Sequence, residues 1–307
     1  MRLYTMARER VLITGGGGML GASVYAACKL RFEHVLATDI DLNEPWLELL
    51  DVRDIAQCQR VFEEFKPTLV LHLAALTDLE YCERNAEHAW LTNALGAENV
   101  AMLARRTDAT LVYISTAGIF GGEQEEFNDF DRPNPLSIYA KSKYHGEQFV
   151  ERHVPKYFVF RAGWMMGGGL KKDKKFINKI YKQLKAGQKE LFVVDDKLGT
   201  PTYTKDFAES ILKVVESGYY GLYNQVCGGS CSRLDVAREF LQLLGLTEHV
   251  RLTQVTSDYF QHEYFAQRPY SEKLVNLKLN ARGINFMRDW KVCLAEYSQT
   301  FREDYHG

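Results

Sequence analysis

The stretch Thr14-Gly15-Gly16-Gly17-Gly18-Met19-Leu20-Gly21 limits what this chain can fold into more than any other. It follows a short apolar run at 11–14 and opens an amphipathic segment at 19–30. A strand that turns on glycine into a helix N-terminus builds a pyrophosphate site. Glycine allows the tight turn, close approach of backbone to phosphate, and close packing of helix on strand. The free N–H groups and the positive dipole end of the helix attract the anion. Gly15, Gly18 and Gly21, spaced three apart, take these places, and Met19 and Leu20 are expected to complete the contact.

An acidic residue ending the second strand, about 20 residues on, is the next expected part. Asp39, in Ala37-Thr38-Asp39-Ile40, fits. A carboxylate there accepts hydrogen bonds from the adenosine ribose and repels a 2′-phosphate. That favours NAD(H), with NADP(H) possible. Asp51-Val52, after Leu49-Leu50, is expected beside the adenine amino group.

The rest of the first half keeps this rhythm. Runs at 11–14, 35–38, 69–73 and 111–115 are short and rich in Val, Ile and Leu, as buried parallel strands are. Segments 19–30, 55–65 and 86–106 carry apolar residues at helical spacing. The alternation predicts an α/β fold: a doubly wound parallel sheet (Rossmann) with a smaller C-terminal substrate-binding lobe. We assign 8–162 to the dinucleotide-binding domain and 163–307 mainly to the lobe, with about 191–226 returning to the first domain. Helices are expected at 137–153, 176–185, 204–216 (Thr204 as N-cap), 232–244 and 289–305, and extended segments at 157–161, 191–194, 222–226 and 251–255.

Composition excludes several classes. With 38 Lys+Arg against 40 Asp+Glu the formal charge is -2, which gives no electrostatic case for nucleic-acid binding. No apolar run approaches the roughly 20 residues of a membrane span. Residues 1–10 read as a short disordered tail, because the following apolar run is too short for a signal peptide. The six scattered cysteines are expected to be reduced thiols, which places the chain in the cytoplasm. Cys227 and Cys231 read as structural, and the eight histidines show no metal-ligand spacing.

Tyr139-Ala140-Lys141-Ser142-Lys143 puts a tyrosine and a lysine four apart on one helical face. Beside a nicotinamide, the lysine ammonium is expected to lower the phenol pKa from its usual ~10, so that the tyrosine exchanges a proton with a carbonyl oxygen. Tyr25/Lys29 and Tyr181/Lys185 share the spacing. Only Tyr139 follows a strand ending in a hydroxyl pair, Ser115-Thr116, where a hydroxyl can polarise the carbonyl.

These residues resemble the extended short-chain dehydrogenase/reductases. The match includes the glycine turn, His72-Leu73-Ala74-Ala75, Asn93-Ala94-Leu95-Gly96-Ala97-Glu98-Asn99-Val100, Ser115-Thr116, and Tyr139 with Lys143. Arg161-Ala162-Gly163-Trp164 with Gly167, Gly199-Thr200-Pro201-Thr202 with Asp206 and Ala208, and Arg268-Pro269 look most like the dTDP-4-dehydrorhamnose reductase branch. The resemblance implies that Thr116 is the catalytic hydroxyl and Tyr139 the general acid. It implies that Lys143 binds the nicotinamide ribose, that Ala74 and Ala75 line the cofactor, and that Asn93 helps hold the active-site helix beside it. The implied substrate is a nucleotide-diphosphate 4-keto-6-deoxy sugar, with Thr77, Thr116, Ala117 and Trp164 around the sugar. Arg268 can grip a diphosphate bidentately. A homodimer through segments 86–106 and 137–153 is also implied.

Departures fall on the substrate side. The reductases follow the threonine with Asp-Tyr-Val-Phe; here it is Ala117-Gly118-Ile119-Phe120. Tyr81 replaces a family lysine, and the register after Arg268-Pro269 differs. A related sugar therefore stays open. So do an epimerase with retained NAD and a non-catalytic binding subunit resembling the regulatory subunit of methionine adenosyltransferase. Lys171, Lys172, Lys174 and Lys175 read as a solvated loop, with closure over a diphosphate as the alternative.

Overall fold

The computed structural model describes residues 9–306. Residues 1–8 of the expected tail lie outside them, and Arg10 already opens the first strand. The strands are β1 (Arg10–Thr14), β2 (His34–Asp39), β3 (Leu47–Leu49), β4 (Leu69–His72) and β5 (Thr110–Thr116). They continue with β6 (Glu126–Phe127), β7 (Tyr157–Ala162), β8 (Trp164–Met166), β9 (Glu190–Val194) and β10 (Leu198–Gly199). The last are β11 (Pro201–Tyr203), β12 (Gly221–Asn224), β13 (Cys231–Ser232), β14 (Arg251–Val255) and β15 (Ser271–Leu274).

Seven strands form one parallel sheet in the order β12-β7-β5-β4-β1-β2-β3. Both faces are covered, which is why the middles of β1 and β4 are apolar: Val11, Leu12 and Ile13 are fully buried. One face packs on the helices Gly21–Lys29 and Thr204–Glu216, the other on Ile55–Phe65 and Gly96–Arg106. Asp54 caps Ile55–Phe65 by accepting from the Ala56 and Gln57 amides, and Ser137 caps Ile138–His153 through the Ala140 amide.

The later chain divides between layers. Thr204–Glu216 and β12 join the nucleotide-side sheet, whereas β9 pairs with β14 and β10 enters a four-stranded sheet, β13-β10-β15-β6. The lobe has its own core, in which Ile180, Tyr181 and Leu184 meet Phe240, Leu241 and Phe301.

Two expectations need correction. Segment 86–106 is not one regular helix: Ala86–Trp90 and Gly96–Arg106 flank a π turn, Leu91–Leu95, which contains the buried Asn93. Thr204 is the first helical residue and not the cap; Tyr203 precedes it without a capping side chain. The Thr204 hydroxyl instead bonds Ser23 of the neighbouring helix at 3.2 Å.

Candidate functional site

The glycine turn lies at the C-terminal ends of the central strands, where open α/β sheets bind ligands. Gly15 has φ +73°, and a Cβ there would fall 2.4 Å from the Ala74 amide nitrogen. The tips of β1 and β4 therefore touch. A Cβ on Gly21 would fall 1.9 Å from the Gly16 carbonyl oxygen, so the third glycine packs the helix on its own turn. No side chain caps the helix Gly21–Lys29, whose N-terminal end is presented by Met19 and Leu20. This is the end an anion would meet.

Asp39 stands at the end of β2 with one oxygen accepting from the Gly17 amide at 2.9 Å and the other from Asp41 at 3.0 Å. Asn43 bonds the Gly17 carbonyl at 3.3 Å. Asp51 is gripped by Arg53 (Nε–Oδ1 2.8 Å, Nη2–Oδ2 2.6 Å), which holds its carboxyl below the usual range. Val52 is 4 % exposed and belongs to the core, against Gly96. Next to the turn, His72 Nδ1 and Thr14 Oγ1 share a hydrogen bond of 2.7 Å. Burial, reinforced by Lys143, pushes His72 down to about 3, so the imidazole is neutral.

Thr116 ends β5 and caps the short turn Ala117–Ile119 by accepting from the Gly118 amide at 3.1 Å. Its hydroxyl lies near enough to Tyr139 to favour ionisation of the phenol. One turn further along Ile138–His153, the Lys143 ammonium sits 4.1 Å over the Tyr113 ring, and the Tyr113 hydroxyl donates to the Lys143 carbonyl at 2.9 Å. The three expected catalytic residues thus gather where β5 meets this helix.

Burial raises Tyr139 to about 12 although Thr116 opposes it, and burial lowers Lys143 to about 7 against the pull of Glu147. Desolvation disfavours both charged forms. The two decoy tyrosines are engaged elsewhere. Tyr25 stacks on Trp46 at 4.0 Å, and Tyr181 bonds Asp304 and packs on Phe301.

Asn93 is 1 % exposed and works as a clamp. It accepts from the Leu76 amide at 2.8 Å and donates to the Leu76 carbonyl at 3.0 Å and to Ser142 Oγ at 3.1 Å. It ties the loop after Ala74 and Ala75 to the helix that carries Tyr139.

Substrate-side residues are placed less uniformly. Thr77 receives Lys175 Nζ on its carbonyl at 3.1 Å. Ala117 is 1 % exposed in a cluster with Ile119, Phe120 and Leu274, so its methyl does not line a cleft. Trp164 Nε1 donates to Glu272 at 2.7 Å. The Arg268 fork is occupied by Glu80, at 2.8 and 3.1 Å. The lysine run is solvated only in part: Lys171 and Lys174 are exposed, whereas the Lys172 side chain is 8 % exposed and reaches Glu44 at 3.0 Å. Acidic and carbonyl groups of the nucleotide-side loops draw Lys172 and Lys175 down.

Sequence reasoning missed three groups. Glu147, two turns beyond Tyr139, is fully buried. It accepts from Ser115 at 2.6 Å and pairs with Arg161 of β7 at 2.6 Å. The i, i+4, i+8 spacing of Tyr139, Lys143 and Glu147 was the available signal. Glu272 of β15 and Arg233, whose guanidinium lies 3.6 Å over the Trp164 ring, have no local pattern to announce them.

Comparison with known proteins identifies the family and the fold. The RmlD substrate binding domain family matches residues 9–303. A dTDP-4-dehydrorhamnose reductase from Mycobacterium tuberculosis is 31% identical over 94% of this chain and 91% of its own. Methionine adenosyltransferase 2 subunit beta of Xenopus laevis is 26% identical over 98% and 90%. The crystal structure of a Clostridium acetobutylicum dTDP-4-dehydrorhamnose reductase superposes with TM-score 0.86 at 35% identity, covering 94% of this chain and 98% of that one. The Bacillus anthracis reductase in complex with NADP gives 0.85 at 32%, with the same coverage. With the glycine turn, the Thr116–Tyr139–Lys143 cluster and a match spanning nearly every described residue, the chain belongs to the RmlD substrate binding domain family, the dTDP-4-dehydrorhamnose reductase-like branch of the extended short-chain dehydrogenase/reductases.

Proposed function

We propose that this protein reduces the keto group of a nucleotide-diphosphate 4-keto-6-deoxy sugar with a reduced nicotinamide cofactor. One observation carries the reading: Thr116 at the end of β5 stands beside Tyr139, one helical turn from Lys143, at the strand ends that also hold the glycine turn. When bound, the nicotinamide supplies the hydride. Gly15, Gly18, Met19 and Leu20 would hold its diphosphate on the uncapped helix end, and Asp39 the adenosine ribose. Val52, with Arg53-neutralised Asp51, would border the adenine, and Ala74 and Ala75 the middle of the cofactor.

Thr116 donates to the carbonyl oxygen and polarises it. Tyr139 donates its proton to the same oxygen as charge develops there. A phenol kept protonated by burial suits this direction of transfer. Lys143 binds the ribose next to the nicotinamide and, when protonated, stabilises the phenolate left behind. Asn93 keeps the helix in place. Trp164 walls the sugar, Thr77 borders it, and Arg268 faces the diphosphate once Glu80 releases it.

Asp39 supports NADH as the preferred cofactor, because Asp41 adds further negative charge beside it and the hydrogen bonds it accepts come from backbone amides and not from a cation. Trp90, Leu91, Leu95 and Met102, each 37–47 % exposed along one helical run, support a homodimer.

The test follows loss of reduced-nicotinamide absorbance with NADH or NADPH and a panel of nucleotide 4-keto-6-deoxy sugars, with Tyr139→Phe as control. Consumption lost in the variant is the expected result. The Xenopus similarity favours a second reading, a binding subunit without turnover. Tight cofactor binding with no consumption and no sugar interconversion would support it. Interconversion without net consumption would support an epimerase that retains NAD.

A further inference from the structure

The resemblance leads one to expect an acidic residue directly after Thr116. Here Ala117 stands in that position and is buried. A carboxylate nevertheless comes close to Thr116 from another part of the chain. A Cβ built on Gly118 would lie 3.3 Å from Glu272 Oε1 and 3.4 Å from Thr116 Oγ1. Both oxygens therefore face one methyl-sized space, kept free because residue 118 is glycine.

Glu272 is held from behind. Its other oxygen, Oε2, accepts from Trp164 Nε1 at 2.7 Å. The Trp164 ring is fixed on two sides. Gly199 admits it, since a Cβ there would fall 2.2 Å from the indole, and the Arg233 guanidinium stacks over it at 3.6 Å. One carboxylate oxygen is committed to the protein and the other is presented beside Thr116. The Glu272 charge is also felt at Tyr139, where it opposes ionisation of the phenol.

We infer that Glu272 is the specificity-determining carboxylate of this site, accepting a hydrogen bond from the sugar hydroxyl on the carbon next to the reacting carbonyl. The inference rests on the proposed reduction. Thr116 and Tyr139 donate to the carbonyl oxygen, which a carboxylate would repel. An acceptor just beside them suits the neighbouring substituent instead. In a 4-keto-6-deoxyhexose, C3 carries a hydroxyl, whereas C5 carries a methyl group and the ring oxygen, which donate nothing. The C3 hydroxyl is the group Glu272 reads. An analogue lacking it leaves a desolvated carboxylate oxygen unpaired and is rejected.

The test compares kcat and KM for a nucleotide 4-keto-6-deoxy sugar with and without the C3 hydroxyl. Wild type is expected to prefer the hydroxylated sugar by about 100-fold in kcat/KM. In Glu272→Gln the amide oxygen still accepts from Trp164, but a donor now faces the cleft. The preference should fall below about 10-fold, mainly through KM, with turnover of the deoxy analogue retained. An unchanged preference in Glu272→Gln would reduce Glu272 to a support for Trp164 and overturn the inference. So would solvent deuterium appearing next to the carbonyl in wild type but not in the variant, because Glu272 would then be a base. Failure of the reduction reading shows separately, as no cofactor consumption with either sugar. Calorimetric titration of the two sugars then still reads the preference, and equal binding, or none, overturns the inference.

Discussion

Asn93 and Ser142 lie 49 positions apart and share a hydrogen bond of 3.1 Å, which joins the π turn to the helix carrying Tyr139 and Lys143. The same amide satisfies both backbone groups of Leu76. Asn93→Ala leaves the Leu76 amide unpaired and takes a donor from the Leu76 carbonyl and from Ser142. We expect a loss of about 2 kcal/mol in stability, read by urea unfolding, and a fall in kcat larger than the change in KM. Asn93→Asp should not rescue, because a carboxylate cannot donate to the Leu76 carbonyl or to Ser142 as an acceptor.

Two glycines of the turn should behave oppositely. A Cβ on Gly18 meets only the Gly15 carbonyl oxygen at 3.4 Å, an ordinary contact. Gly18→Ala should therefore keep its thermal stability and lose affinity for reduced nicotinamide by roughly tenfold or more, about 1.4 kcal/mol or above. Gly21→Ala strikes backbone at 1.9 Å and should lower the melting temperature as well. Equal stability of the two variants would contradict the packing described.

Asp39→Ser removes the carboxylate at the ribose end of β2 while leaving a hydroxyl. The ratio of kcat/KM for NADH over NADPH is expected to fall by about 10- to 100-fold, the scale of one charge repulsion relieved. A ratio unchanged by the substitution would remove Asp39 from cofactor selection.

His72 makes stability depend on pH. Its folded pKa of about 3 lies below its ordinary value, so above pH 6.5 neither folded nor unfolded chain binds the proton. As pH falls from 6.5 toward 3, the unfolded chain takes up a proton that the folded chain refuses, and stability drops. Between pH 7 and pH 5 the loss from this group is about 2 kcal/mol. Unfolding of wild type and His72→Gln at both pH values should differ by that amount in their pH sensitivity.

The Arg161–Glu147 pair is 4% and 0% exposed. Arg161→Met leaves a buried carboxylate with only Ser115 and should destabilise the fold by about 3–5 kcal/mol. The double variant Arg161→Met with Glu147→Leu should recover most of this, because no charge remains to be desolvated. Additive losses in a double-mutant cycle would argue against direct pairing.

What could be read from the sequence followed chain locality. Val11–Ile13 and Leu69–Leu71 announced themselves because a parallel strand buried on both faces is apolar without interruption. The glycine turn and the Tyr139–Lys143 spacing are each written within eight residues. The strands β6, β8, β10, β11, β13 and β15 have two to four residues and show no period. Glu272 and Trp164 meet across 108 positions, and Lys175 and Thr77 across 98, so no window along the chain contains either pair. The burial that raises the Tyr139 pKa is equally hard to read, because it comes from elements far away in sequence.

The order of strands carries a consequence for how this chain can be assembled. The edge of β7 is completed by β12, and Phe160 packs on Phe207 and Tyr223, all contributed after Trp164. A chain cut at Ala162 would leave Phe158 and Phe160 wet on one face and β7 open along one edge. Such a fragment would attract its own kind before it could bind a dinucleotide. During synthesis, the first half must wait for residue 224 to leave the ribosome before its sheet closes. The two lobes are separable on paper but inseparable as folding units.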